Sequence, residues 1–229
     1  MDTRDLEQEQ IAYYRARAPE YDDWFFRRGR FDHGPERNAT WFAEVEQVRD
    51  EVRRLGQLGD VLEVAAGTGL WTQHLVDRAT SVHCLDASPE TLEVNRERLG
   101  WAAARVTYEL ADVFRWAPAR RYDTVFFGFW LSHVPAERFE GFWALVADAL
   151  APGGRVFLVD SLPSPTSAAR GTTVQTGGEQ IRRLNDGRAF TIVKRFYDPA
   201  DLERQLRALG WAIEVRATPT YFLWARGAS

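Results

Sequence analysis

The sequence has a single cysteine, Cys84. That excludes an internal disulfide and any zinc or iron–sulfur site built from several thiolates; Cys84 reads as a small core residue. Long apolar runs are missing too. The longest, residues 125–131, falls far short of the ~20 residues of a membrane-crossing helix. The opening stretch, MDTRDLEQEQIAYYRARAPEYDD, is polar and lacks the apolar centre of a secretory signal. The expectation is a soluble, cytoplasmic protein with no membrane partner. Nor is positive charge in surplus: Lys plus Arg total 29 against 33 Asp plus Glu, a net charge of −4. That disfavours a broad basic surface for nucleic acid. There is no internal repeat, and no carboxylate cluster of the kind a metal-dependent reaction needs.

What is present is one domain's worth of ordinary globular sequence: 229 residues, 45% hydrophobic and 27% charged. The unusual figure is 13% aromatic, and many of these residues crowd the start: Tyr13, Tyr14, Tyr21, Trp24, Phe25, Phe26, Phe31, Trp41 and Phe42.

Trp41, Val45, Val48, Val52 and Leu55 recur on one helical face, closed by Gly56 and Gly59. A β-like run, Val61-Leu62-Glu63-Val64-Ala65, enters Ala66-Gly67-Thr68-Gly69 and a helical stretch over 70–78. Residues 81–85 form a second strand candidate, closed by Asp86. Ser88 and Pro89 then cap a helix reaching residue 99. Residues 105–110 and 123–127 read as further strands, the latter apolar on both faces. A helix through Phe139, Phe142, Trp143, Val146 and Leu150 stops at Pro152-Gly153-Gly154 before a fifth strand, 155–160. Such alternation predicts a parallel sheet with helices on both faces. Residues 161–187 are rich in Ser, Pro, Thr and Gly, with a short helix expected over 179–184. A strand (190–196), a helix (199–209) and an antiparallel hairpin (211–218 and 221–226) close the chain.

The loop at Gly67-Thr68-Gly69 lies between a strand and a helix, where backbone can approach a ligand. Asp86 follows Gly67 by 19 residues at the end of the next strand, the position of an acceptor for ribose hydroxyls. Asp112 ends the strand after that. A dinucleotide fingerprint would need glycine where Thr72 stands, and no Walker lysine follows Gly69. A nucleoside without a pyrophosphate fits better.

These residues resemble the class I S-adenosylmethionine (SAM)-dependent methyltransferases. The resemblance is carried by residues 61–69, Leu85-Asp86-Ala87-Ser88, Ala111-Asp112-Val113-Phe114 and Leu150-Ala151-Pro152-Gly153-Gly154. It implies a Rossmann-like, doubly wound, mostly parallel seven-stranded sheet with a C-terminal antiparallel hairpin. The chain then divides, as a single domain over 1–229, into a helical N-terminal lid (1–56), a cofactor-binding core (57–160), a substrate-side insertion (161–188) and the rest of the sheet (189–229). It implies that Gly67, Thr68 and Gly69 face the methionine part and that Glu63 orients its ammonium group. Asp86 would take the ribose hydroxyls, Asp112 the adenine amino group, and Ala87 and Phe114 the faces of the ring, with Ser88, Ala111 and Val113 beside them. Ala65 departs from the family, which usually has glycine there; a slightly tighter loop is expected.

In such enzymes a segment before the first strand closes over the site. Tyr13, Tyr14, Tyr21 and Trp41 are its candidate cofactor contacts, Tyr14 and Tyr21 foremost, because aromatic faces stabilise a sulfonium. Arg17 reads as a helix-surface arginine, with binding of the SAM carboxylate as its other reading. After the fourth strand, Phe129 and Trp130 are placed to line the cofactor. His133 is the candidate general base, with loop ordering or cofactor contact as its other reading. Asp160, Ser161, Gln175, Glu179, Arg182 and Arg183 are candidates for the substrate side, and the aromatics point to a flat or apolar acceptor.

The expected reaction is methyl transfer from SAM to the O, N, S or C atom of a small molecule, releasing S-adenosylhomocysteine (SAH), by a monomer or homodimer. Methylation of nucleic acid or protein fits less well. Gly128-Phe129-Trp130-Leu131 stands where the exocyclic-nitrogen enzymes carry Asn/Asp-Pro-Pro-aromatic. A SAM-binding protein without transferase activity is the alternative from another class.

Overall fold

The computed structural model describes residues 3–174 and 177–228. Three helices come first: α1 (Thr3–Arg17), α2 (Tyr21–Phe25) and α3 (Pro35–Arg54). The alternating core is β1 (Gly59–Val64), α4 (Thr72–Leu75), β2 (Ala79–Asp86), α5 (Pro89–Leu99), β3 (Val106–Leu110), β4 (Tyr122–Gly128), α6 (Phe139–Ala149) and β5 (Leu150–Ser161). Then follow β6 (Glu179–Arg183), β7 (Ala189–Val193), α7 (Pro199–Ala208), β8 (Ala212–Ala217) and β9 (Phe222–Ala228). Seven strands form one sheet in the order β3-β2-β1-β4-β5-β9-β8. The first five run parallel; β9 is antiparallel to both β5 and β8.

Alternating side chains explain why this sheet is buried on both faces. Val61 of β1 and Phe126 of β4 enter the core beneath α3, while Leu62, Val64, Val125 and Phe127 enter the opposite core beneath α6. Helix starts follow local chemistry. The Ser88 side chain accepts from Thr91 N–H at 3.1 Å with Pro89 next in line, and Asp198 accepts from Ala200 and Asp201 N–H ahead of Pro199. Buried Glu44 of α3 accepts the Tyr221 N–H at 2.8 Å and the Thr218 hydroxyl, fixing α3 to the turn between β8 and β9. Among the described residues no helix is long and apolar enough to cross a membrane.

Two local expectations are corrected. The helix over 70–78 shortens to one turn, α4. The helix expected over 179–184 is a strand: β6 pairs antiparallel with β7. The hairpin is held by a helix remote in sequence. Glu9 and Gln10 of α1 accept the Thr191 and Val193 N–H groups at 2.7 and 3.1 Å, and Tyr13 packs with Leu184 and Ile192. Tertiary bonds to α1 outweigh a weak local preference.

Candidate functional site

The carboxyl ends of β1, β2, β3 and β4 open together under α1 and α2. After β1 the backbone turns through Ala65 at φ 52° and Gly67 at φ 54°. An L-residue in this region costs about 1–2 kcal/mol, so Ala65 is where the loop carries strain. Gly69 has a second requirement: a Cβ there would stand 2.8 Å from the Asn95 side chain. Asn95 in turn bonds Thr72 Oγ1 at 2.9 Å, tying α5 to α4.

Asp86 ends β2 facing this loop. Its Oδ2 accepts the Gly67 N–H at 2.8 Å; its Oδ1 accepts the Ser88 N–H at 2.9 Å and the Thr91 hydroxyl at 3.2 Å. Burial raises its pKa despite these donors. Asp112 follows β3. Its Oδ1 accepts the Phe114 N–H at 3.0 Å. Its Oδ2 is buried with no hydrogen-bond donor, and Arg115 Nε stands 3.6 Å away. A buried acceptor without a donor costs about 1–3 kcal/mol and marks a place where a ligand donor fits.

A cavity fills the space between these groups and the helices above. Tyr14, Tyr21, Ala65, Gly67, Asp86, Ala87, Ser88, Ala111, Asp112, Val113, Phe114, Phe129, Trp130 and His133 all line it. Several other candidates do not. Tyr13 packs with Leu184 and Ile192 instead. Trp41 is fully buried in the core, its Nε1 donating to the Phe25 carbonyl at 3.0 Å and its ring against Trp24, Tyr221 and Phe222. Thr68 turns away to donate to Asp22 at 2.7 Å. Gly69 packs on Asn95. Glu63 lies beneath the loop beside Cys84 and Thr72, and burial pushes its carboxyl up to about 8.

The position of Glu63 has a consequence for stability. A carboxyl raised from 4.5 to about 8 on folding holds its proton only in the native state between those values. The ligand-free protein therefore loses stability as pH rises from about 4.5 to 8 and levels off above. Glu63→Gln removes that dependence. In chemical denaturation the variant is expected to match wild type at pH 5 and to exceed it by about 4 kcal/mol at pH 9. Parallel stability curves for the two proteins would contradict this.

Helix α1 adds residues that motif reading missed: Glu7, Gln10 and Ile11 line the cavity with Tyr14. The only signal was their spacing, three and four residues apart on α1. Gln10 Nε2 donates to the His133 carbonyl at 3.1 Å, and buried Glu7 accepts from Arg138 at 2.7 Å. Asp22 pairs with Arg98, whose Nε also donates to the Thr68 carbonyl at 2.7 Å. α2 is thus bonded to the loop after β1.

Phe129 is held at φ 58°, a costly backbone for a bulky residue. It is over-determined: its N–H donates to the Val159 carbonyl at 2.7 Å and its ring meets Trp24 edge-on at 4.8 Å. The preceding residue must be small, since a Cβ on Gly128 would lie 2.6 Å from Trp71.

His133 Nδ1 is 2.6 Å from the Val193 carbonyl, and Nε2 is 2.8 Å from the Tyr14 hydroxyl. A carbonyl only accepts, so Nδ1 carries the proton and Tyr14 donates to Nε2. Burial, reinforced by the charge of Lys194, holds the imidazole well below its usual range; burial raises Tyr14. Both groups are neutral around pH 7.

A second cavity lies beyond, sharing Tyr14, Tyr21, Phe129 and His133 with the first. Ser161, Arg182 and Arg183 line it; Glu179 is exposed and does not, and Gln175 lies outside the described residues. Asp160 is buried below, accepting the Ser132 and Ser161 N–H groups at 2.8 and 2.7 Å. Arg17 is not a surface residue: its guanidinium sits in this cavity, 4.8 Å from the centre of the Tyr21 ring.

Comparison with known proteins places this geometry. The family model "Methyltransferase domain" matches residues 61–154. DhpI is 38% identical; its complex with SAM and HEP covers 100% of both chains at a TM-score of 0.79. The DhpI–SAH complex covers 98% of this chain and 97% of that one at 0.76. The ubiquinone biosynthesis O-methyltransferase of Xanthomonas euvesicatoria pv. vesicatoria (strain 85-10) is 31% identical over 166 residues, 72% of this chain and 67% of the relative.

Proposed function

Since the chain belongs to the class I SAM-dependent methyltransferases, we propose that it methylates an oxygen of a small acceptor seated in the second cavity. The observation that carries this reading is the shared wall. Tyr14, Tyr21, Phe129 and His133 border both cavities, so a donor in one and an acceptor in the other would meet there. SAM, when bound, supplies a methyl group on cationic sulfur: the S–CH3 bond breaks with its electrons left on sulfur, the O–CH3 bond forms, and the acceptor gives up one proton or one negative charge. Oxygen is favoured by the name of the ubiquinone relative, an O-methyltransferase.

Each residue's role follows from its surroundings. Asp86 would accept from the ribose hydroxyls, its carboxylate already steadied by Gly67, Ser88 and Thr91. Asp112 Oδ2, lacking a donor, would take the adenine amino group. Ala87 and Phe114 would bracket the ring, with Trp130 5.7 Å from Phe114. Tyr14 and Tyr21 would face the sulfonium, and α1 and α2 would exclude water. His133 would position Tyr14 rather than take a proton, because burial first, and the charge of Lys194 after it, oppose a charged imidazole.

Methyl transfer from labelled SAM to a panel of hydroxy compounds, acids, amines and thiols tests this. The expected result is an oxygen-methylated product and a rate with no inflection near pH 6.5. A histidine-like inflection abolished by His133→Asn would restore the general base, and transfer to amines alone would overturn oxygen.

A further inference from the structure

The two cavities carry opposite charge. Glu7, Asp86 and Asp112 line the first, with no Lys or Arg; Arg17, Arg30, Arg182, Arg183 and Lys194 line the second, with no Asp or Glu among the described residues. Two of the five cations are engaged elsewhere. Arg30 pairs with Glu20 at 3.3 Å, and Arg183 is exposed.

The other three are short of counter-charge. Arg17 Nε is buried with no hydrogen-bond partner, and the guanidinium rests on Tyr21 and Tyr13, 4.8 and 5.5 Å from their centres. Among the described residues neither Arg17 nor Arg182 has a carboxylate within ion-pair distance. Lys194, the single lysine of the chain, lies 8% exposed. Its Nζ is 2.8 Å from Ser132 Oγ and 3.5 Å from Asp160 Oδ1, a carboxylate already accepting two backbone N–H groups. Arg17 and Arg182 both act to lower the Lys194 pKa, as does burial before them. Three cations thus face one cavity, and among the described residues Asp160 is the one carboxylate within ion-pair distance of any of them, reaching Lys194 alone. Arg17 and Arg182 are half-buried and Lys194 is buried; cations partly withdrawn from water with too little counter-charge are unfavourable, and a negative group entering the cavity relieves this.

We propose that the second cavity takes an acceptor bearing an oxyanion, a carboxylate or a phosphate group, held by Arg17, Arg182 and Lys194; this rests on the methyl-transfer reading above. Guanidinium groups match both anions in geometry and bond them more strongly than neutral donors do. The rest of the acceptor lies against Tyr13, Trp24 and Phe196. The sequence-based expectation of a flat, apolar acceptor is thereby refined: the aromatics remain, and a charged handle is added. An acceptor whose own oxygen enters ionised also needs no general base, in keeping with a His133 that stays neutral.

The test uses wild-type protein saturated with SAH, so that failure of SAH to bind is seen first and counts against the methyltransferase reading itself. Benzoate, phenyl phosphate, benzyl alcohol and benzylamine are then titrated by calorimetry. The expected result is that an anion binds about tenfold or more tighter than the alcohol, that benzylamine does not bind, and that Arg182→Gln weakens the anion about tenfold while leaving SAH affinity unchanged. Preference for phenyl phosphate or for benzoate identifies the source of the oxyanion. A second readout needs no variant: acylation of Lys194, followed by peptide mass spectrometry, is slowed by the bound anion and not by the alcohol. Binding of alcohol or amine as tight as that of both anions, no anion binding, or unprotected Lys194 overturns the proposal.

Discussion

Asp86→Ala is expected to weaken SAH binding by about two to three orders of magnitude. The carboxylate is the floor of the first cavity, and each charge-assisted hydrogen bond lost to a ribose hydroxyl is worth about 1.5–3 kcal/mol. The variant also releases the Gly67 and Ser88 N–H groups, so the loop loses its tether to β2. Folding is expected to suffer little. Burial raises the Asp86 pKa above its ordinary value, so above that value the ionised side chain costs native stability, and removing it offsets part of the lost bonding. Asp86→Asn, which keeps one acceptor and loses the charge, should fall between wild type and Ala. Calorimetry with SAH, beside thermal melting, checks both halves; an unchanged affinity would remove Asp86 from the cofactor site.

Trp41→Ala is expected to cost about 3–5 kcal/mol of stability, the range for emptying a buried aromatic site. The ring is fully buried, with edge contacts to Trp24, Tyr221 and Phe222 at 5.2, 5.1 and 4.7 Å, and Arg27 stacks 4.5 Å above it. Trp41→Phe keeps most of the volume and loses the bond to Phe25, so about 1–2 kcal/mol is expected. The discriminating readout is cofactor affinity. Trp41→Phe should bind SAH within about twofold of wild type, because the residue supports Trp24 and Phe129 without reaching the cavity. A large loss of affinity in a well-folded Trp41→Phe would return the residue to the site.

Trp41 also shows where sequence reading stops. Aromatic density marks core and lid alike, and nothing local separates Trp41 from Tyr14 or Tyr21. The cofactor side was legible because it is set by backbone: a loop after β1 and carboxylates closing β2 and β3 fall at the same sheet edge whatever surrounds them. Glu7, Gln10 and Ile11 were not, since a polar helix face facing a cavity looks like one facing water. The β6–β7 hairpin takes its form from α1. The cluster of Arg17, Arg182 and Lys194 draws on α1, β6 and the residue after β7, so only the fold assembles it.

The crystal structure of the SAH complex is the most direct measurement. The ribose is expected on Asp86, the adenine amino group on Asp112 Oδ2, and the sulfur at the wall formed by Tyr14, Tyr21, Phe129 and His133, facing the second cavity. SAH bound elsewhere, or with its sulfur turned away from that wall, would contradict the two-cavity reading of this enzyme.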